Sequence, residues 1–295
     1  MSGAFALTLG LDMRPQTTGA VQYALWVCET ANFQPVGHVR PVHVVEPDAM
    51  VELIRHADEQ AIVGAFQQRG KEVLHELGHG GHFRAPEVLV GDAVEILEDR
   101  AIATHSTALL ISRRAPSSST MALPRLGSVA RRLLRRLKLP VIVVPPDLLA
   151  SQVGGGPVVV AVDFEEGSQR ALEWAQPVAD TLHRKLMLVH MAEMPDQIGY
   201  AGFIQPERWQ SLANEILDRG RERMDDFVQR CGIEQVETSI VRGPVLPGLL
   251  DFAAESKACM LVSGSGHHGV LHRILVPSIA SEAAALAAVA VAVVP

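Results

Sequence analysis

The residues best equipped for chemistry fall in two kinds of place. One is His75-Glu76-Leu77-Gly78-His79, an H-E-x-x-H string with His82 close behind. On one helix this spacing puts two imidazoles on a single face to hold zinc and leaves the Glu as a base. Gly78 reads as a helix stop, which takes His79 off that face. A zinc hydrolase is therefore the distant reading, and His75, His79 and His82 are expected in a polar loop rich in His and Gly. The other kind of place is a loop feeding a Ser-led helix, and it occurs twice. Gly264, Ser265 and Gly266 precede Ser278 near the C-terminus; Ser112-Arg113-Arg114-Ala115-Pro116-Ser117 precedes Gly127, Ser128 and Val129 in mid-chain. Such a loop between parallel strands is an anion site in the making, because first-turn N–H groups have no partners inside the helix. Arg113 and Arg114 add charge that suits phosphate, and the plainer reading of the same stretch is a solvated polar loop. The cluster His267, His268 and His272 is expected at the surface. The string Ser263-Gly264-Ser265-Gly266 lacks the leading glycine of a G-x-S-x-G elbow, which argues against serine hydrolase chemistry.

The elements that must position these loops repeat. An apolar run, Leu109 to Ile111 or Met260 to Val262, opens into each loop, and each copy closes on a strand ending in Pro, Val141 to Pro145 or Val291 to Pro295. Upstream, Asp12 to Ala24 and Asp163 to Ala175 share D-x4-[ST]-x2-A-[VL]-x-[YW]-A, in which Thr17 or Thr18 and Ser168 are read as helix caps. The strands from Val39 and Leu186 share V-H-x-x-E. A long helix from Trp209 to Val228 stops at Gly232, whereas its counterpart from Asp48 to Leu77 is less regular. A third strand in each half ends at Gly91 or Gly243. Alternation of β and α five times over calls for a parallel sheet covered on both faces, with ligands at the carboxyl ends of the strands where strand order reverses. Asp12 and Asp163 stand at such ends.

Length agrees with the repeat, since 295 residues suit two domains. Residues 1–147 and 157–295 are expected as the domains, with 148–156, including Gly154, Gly155 and Gly156, as a flexible joint. Aromatics are scarce at 4% and the net charge is −7, so nothing favours nucleic acid as a partner. Cys28, Cys231 and Cys259 lack CxxC spacing and read as small hydrophobes in a reducing compartment. No signal peptide or membrane span is visible, and a cytoplasmic protein is expected. Arg131, Arg132, Arg135, Arg136 and Lys138 give the helix after Ser128 a basic face, read as solvated in preference to membrane-binding.

These motifs together resemble the universal stress protein family in its tandem two-domain form. The resemblance rests on the Asp after strand one, V-H on strand two, the glycine after strand three, the G-S-x-G type loop, the Ser-led helix and the closing V-x-V-V-P strand. It implies two Rossmann-like domains, each with a five-stranded parallel sheet, packed as a pseudo-dimer through the last strands. Some members bind ATP through a loop G-x2-G-x9-G-[ST]. This chain departs from that loop in both halves. The second keeps Gly264 and Ser278 but has His267 and Pro277 for the middle and third glycines; the first keeps Gly127 and Ser128 but has no glycine from Ser112 to Ser117. By resemblance, Asp12 and Asp163 match the acid that contacts ribose or adenine, and otherwise they cap a strand-to-helix turn. The expectation is a regulatory or protective stress protein that acts by binding, through an unknown protein partner and with a homodimer open. An ATP or other adenine-nucleotide sensor with at most slow hydrolysis is the alternative.

Overall fold

A computed structural model describes residues 5–14, 17–33, 37–77, 81–114, 126–194, 206–233, 236–266 and 278–295. The first half runs β1 (Leu7–Gly10), α1 (Thr17–Thr30), β2 (Val39–Val45), α2 (Pro47–Leu53), α3 (Glu59–Glu76), β3 (Glu87–Val90), α4 (Ala93–Ala103), β4 (Ala108–Ser112), α5 (Ser128–Arg136) and β5 (Val141–Val144). The second runs β6 (Val158–Ala161), α6 (Glu166–Thr181), β7 (Leu186–Ala192), α7 (Pro206–Cys231), β8 (Glu237–Arg242), α8 (Val245–Glu255), β9 (Met260–Gly264), α9 (Ile279–Leu286) and β10 (Val291–Val294). Within each half all strands pair in parallel. The ten strands form one sheet, ordered β3-β2-β1-β4-β5-β10-β9-β6-β7-β8. Among the described residues no helix is long and apolar enough to cross a membrane.

Local chemistry explains the breaks. Gly91 and Gly243 take φ of +153° and +154°, where only glycine is at ease, and turn the chain after β3 and β8. Gly232, at φ +67°, ends α7. The irregular stretch from Asp48 to Leu77 is two helices: α2 stops after Leu53, and Asp58 starts α3 afresh by accepting a bond from the Ala61 N–H.

The halves meet where β5 and β10 pair antiparallel. Val291 faces Val143, Ala292 faces Ile142 and Val293 faces Val141. Because the two halves here differ by a constant offset of 150 residues, Ile142 and Ala292 are equivalent positions and mark a pseudo-two-fold axis, as in a self-complementary dimer interface. All four residues of each strand are buried. The [YW] position of the shared motif crosses this axis. Tyr23 Oη donates to the Cys259 carbonyl at 3.2 Å, and Trp174 Nε1 donates to the Thr107 carbonyl at 3.1 Å. Cys259 and Thr107 are themselves equivalent, each one residue before its strand, so the two bonds are one bond made twice. Burial pushes the Tyr23 hydroxyl well above its ordinary pKa and keeps it a donor. A third contact lays the Arg184 guanidinium 5.7 Å from the Trp26 ring centroid.

Sheet register corrects the sequence alignment of β4 with β9. Leu7 pairs with Ala108 and its equivalent Val158 pairs with Met260, so Ala108 matches Met260, where the repeat had set Leu109 against it. Ser112 thus takes the place of Gly264, Arg113 that of Ser265, and the first loop is longer by two residues, not one.

The joint is packed, contrary to the flexible linker expected. Ala150–Gln152 form a short 3-10 turn whose Ala150 N–H donates to Gln22 Oε1 on α1 at 3.1 Å. A methyl group on Gly154 would lie 1.9 Å from the Lys257 carbonyl oxygen, and one on Gly156 would lie 2.1 Å from that of Ser256, whereas one on Gly155 would come no nearer than 4.0 Å, to the Arg184 guanidinium. These glycines serve close approach of two backbones. Gly154→Ala and Gly156→Ala are therefore expected to cost more than about 2 kcal/mol each, as overpacking against main chain does. Gly155→Ala is expected to change stability by less than about 1 kcal/mol. Urea midpoints of the three variants check the contrast; equal losses at all three would show that the joint is not packed in this way.

Candidate functional site

In each half the strand order reverses between the strand that ends at Asp12 or Asp163 and the strand that opens the loop, β4 or β9, so two crevices exist at the carboxyl ends of the sheet. A shared device holds the floor of each. His43 Nδ1 bonds the Leu11 carbonyl at 2.8 Å and His190 Nδ1 bonds the Val162 carbonyl at 2.7 Å. A carbonyl accepts only, so Nδ1 carries the proton in both rings. The V-H of the second strand thus pins the residue just before each crevice Asp.

In the second crevice Asp163 is occupied by its own turn. Ser168 Oγ donates to Asp163 Oδ1, the Asp163 N–H donates back to Ser168 Oγ at 2.9 Å, and the Glu165 N–H bonds Asp163 Oδ1 at 3.0 Å. Ser168 is a correction: it does not cap α6, whose N-cap is Glu165, but sits buried in the first turn and holds Asp163. In the first crevice Asp12 lies 3.4 Å from Arg14 Nε and is exposed. The Thr17 expected to cap α1 is already inside that helix.

The loops differ. Gly264 lies so close to Gly167 at the start of α6 that a methyl group on it would sit 2.2 Å from the Gly167 oxygen. The Ser265 N–H then bonds the Val294 carbonyl at 2.7 Å, and Gly266 stands in open space. Ser278 is the N-cap of α9, its Oγ accepting from the Ser281 N–H at 3.2 Å. In the first half Gly127 is the N-cap and Ser128 the first residue of α5, followed by half-buried Val129, and Arg114 passes beside Gly127. Arg113 departs from the phosphate-holding role expected of it. Its Nη1 donates to the carbonyls of Ala285 and Ala287, both at 2.8 Å, across the domain boundary. Those carbonyls belong to the C-terminal turn of α9, where a helix has unpaired acceptors and a cation is favoured. His267, His268, His272 and Pro277 lie outside the described residues.

The remaining motifs find plain uses. Glu76 closes α3 and pairs with Arg69 at 3.1 Å; His75 is exposed in its last turn, His82 is half-buried, and His79 lies outside the described residues. Among the described residues no three His, Cys, Asp or Glu side chains are grouped to hold a metal ion. The basic face of α5 meets an acidic stripe on α4. Arg132 pairs with Asp92 at 2.6 Å, Arg136 with Glu95 at 3.8 Å and Lys138 with the buried Glu98 at 2.8 Å. Burial pushes the Cys28 thiol up to about 11 and that of Cys259 up to about 12, which leaves both unreactive.

Sequence reasoning found the repeated V-H and [YW] positions without their roles, since both act on carbonyls distant in sequence. His190 carries a pH signature. Burial is the main cause that lowers its pKa, with nearby Arg223 in the same direction, while the Val162 carbonyl and Asp163 oppose. A lowered folded pKa favours the neutral ring, so this contribution is complete above the ordinary value of about 6.5 and is lost as pH falls through the folded value. As pH falls below about 6.5, unfolding free energy is expected to drop more steeply in the wild type than in His190→Gln. Urea titrations across that range test this, and parallel slopes would contradict it.

Two segments, residues 7–145 and 156–295, each match the family model described as the universal stress protein family. A universal stress protein from Archaeoglobus fulgidus superimposes with a TM-score of 0.63 at 20% identity, covering 98% of this chain and 97% of that one. A structure from Pseudomonas aeruginosa superimposes with a TM-score of 0.60 at 16% identity, covering 99% and 93%. At these identities the likeness is one of fold. The two family matches span both halves of the repeat, and the chain therefore belongs to the universal stress protein family as a tandem of two domains.

Proposed function

We propose that this protein serves a stress response by binding, without catalysis of its own, and that its two loops do not hold ATP in the manner of the G-x2-G-x9-G-[ST] loop. One observation carries the reading: the Arg113 guanidinium, which a phosphate would need, is bonded to the Ala285 and Ala287 carbonyls of the other domain. In the second domain Pro277 offers no N–H where the family loop has its third glycine. A folded protein freed of nucleotide-cradling duty in both halves retains its surfaces for a protein partner.

A second reading, an adenine-nucleotide sensor confined to the second domain, is favoured by the retention there of Gly264 and the N-cap Ser278, with Gly266 offering glycine at a shifted position. Calorimetric titration of dialysed protein with ATP, ADP and AMP separates the two. No heat of binding up to millimolar ligand is the expected result. Binding that disappears in Ser278→Ala establishes the sensor, and binding that disappears in Gly127→Val returns the site to the first domain. Arg113→Gly is expected to lower the melting temperature without creating ATP affinity, because it removes two bonds to a helix end and leaves those carbonyls unpaired.

A further inference from the structure

Beyond the two crevices, one cavity combines charge with a strained backbone. It is a groove open to solvent, of about 390 Å³, lined by Phe164, Arg223, Asp226, Gln229 and Arg230. That volume lies in the range of small-molecule sites, roughly 300–1,000 Å³. Four of these residues come from the second half of α7, where positions 223, 226 and 230 fall on one face. The fifth, Phe164, follows Asp163 and takes φ +72°, a conformation costly for a bulky side chain. Met13, its equivalent in the first half, is not among the residues of positive φ.

The strain has a visible result. It carries the Phe164 ring beneath α7, 4.3 Å from the His190 ring and 4.3 Å from the Arg223 guanidinium, and presents the Phe164 carbonyl to Arg230 Nη2 at 3.4 Å. Arg230 also lies 5.7 Å from the Phe227 ring centroid. Both guanidiniums are thus steered by aromatic rings to the cavity while, among the described residues, neither has a carboxylate within ion-pair distance. Elsewhere on α7 the cations are used locally, Arg221 on Asp218 and Arg219 on the Glu215 carbonyl.

We propose that this cavity is a binding site for a small organic phosphate. Two guanidiniums that approach from residues a two-turn step apart match a tetrahedral oxyanion, which has oxygens for both at once; a carboxylate is filled by one. The Gln229 amide supplies a further donor, and Phe164 forms an apolar wall against which the organic part packs. Asp226 faces the same space, so the site favours a ligand with a hydroxyl or amine beside its phosphate and penalises a bare polyanion. The site is distinct from the glycine loops of the crevices: none of its residues belongs to those loops, although Phe164 follows the crevice residue Asp163.

The test uses the full chain, with inorganic phosphate and glycerol phosphate as probes and sodium chloride at matched ionic strength as the control. Titration calorimetry is run on the wild type, Arg223→Gln, Arg230→Gln and Ser278→Ala, with circular dichroism to establish that each is folded; all the substituted side chains are exposed. The expected result is saturable binding of glycerol phosphate in the wild type and Ser278→Ala, weakened about tenfold or more by either arginine substitution, as loss of a charge-assisted bond implies. Asp226→Asn is expected to tighten inorganic phosphate several-fold. No saturable binding in the wild type, or binding in both arginine variants as tight as in the wild type, overturns the proposal. Binding lost in Ser278→Ala but kept in the arginine variants overturns it too, by placing the anion in the second crevice.

Discussion

The structure depends on the pairing of β5 with β10. Each strand is a run of apolar residues that, alone, would be an exposed hydrophobic edge with a row of unpaired N–H and C=O groups, the kind of edge that invites aggregation. Antiparallel pairing about Ile142 and Ala292 removes both edges at once and turns two five-stranded sheets into one of ten strands. Equivalent residues then face each other across the axis, and this explains why Tyr23 and Trp174, at one position of the repeat, reach equivalent carbonyls in opposite directions. The packed joint fits the same logic: glycines allow its backbone to lie directly on the Ser256–Lys257 turn.

A repeated fold does not require repeated sites, and the two halves have diverged where a ligand would bind. The sheet, the pinning histidines and the crossing donors are kept in pairs. The loops are not. In the first, an arginine closes the end of α9 in the other domain; in the second, a glycine packs on α6 and the following hydroxyl of Ser265 is buried. Cradling phosphate requires free N–H groups and room for close backbone approach, and neither an arginine committed to the domain interface nor a glycine crowded against α6 of its own domain satisfies those needs. Similar divergence appears in the α4–α5 contact, where Glu98 and Lys138 form an ion pair in the first domain and Leu250 and Ala288 stand at the matching positions of the second.

Much of this was legible in sequence, and the failures have physical reasons. The alternation of β and α, the Asp at the strand ends, the glycines after β3 and β8 and the stop at Gly232 all follow from local rules of propensity and backbone freedom. The register of β4 against β9 did not, because strands buried on both faces read as continuous apolar runs and lack the period-two signal that would fix a one-residue slip. Gly154 to Gly156 read as flexible because composition alone does not distinguish a glycine that moves from one that is crowded. Arg113 read as a phosphate ligand because its true partners lie some 170 positions away. The cavity beside Phe164 gave no sign either: charged residues at helical spacing on α7 look like any solvated face until the turn after β6 brings a ring beneath them.

Hydrogen exchange on β5 and β10 tests most directly whether the two domains are one cooperative unit. Amides of 141–144 and 291–294 should exchange as slowly as those of the central strands β4 and β9, since releasing them would expose both edges and break the crossing bonds together. Exchange at β5 and β10 that runs ahead of β4 and β9, with each half then unfolding in its own transition, would show that the domains are joined only by the chain and that the edge pairing does not hold the structure together.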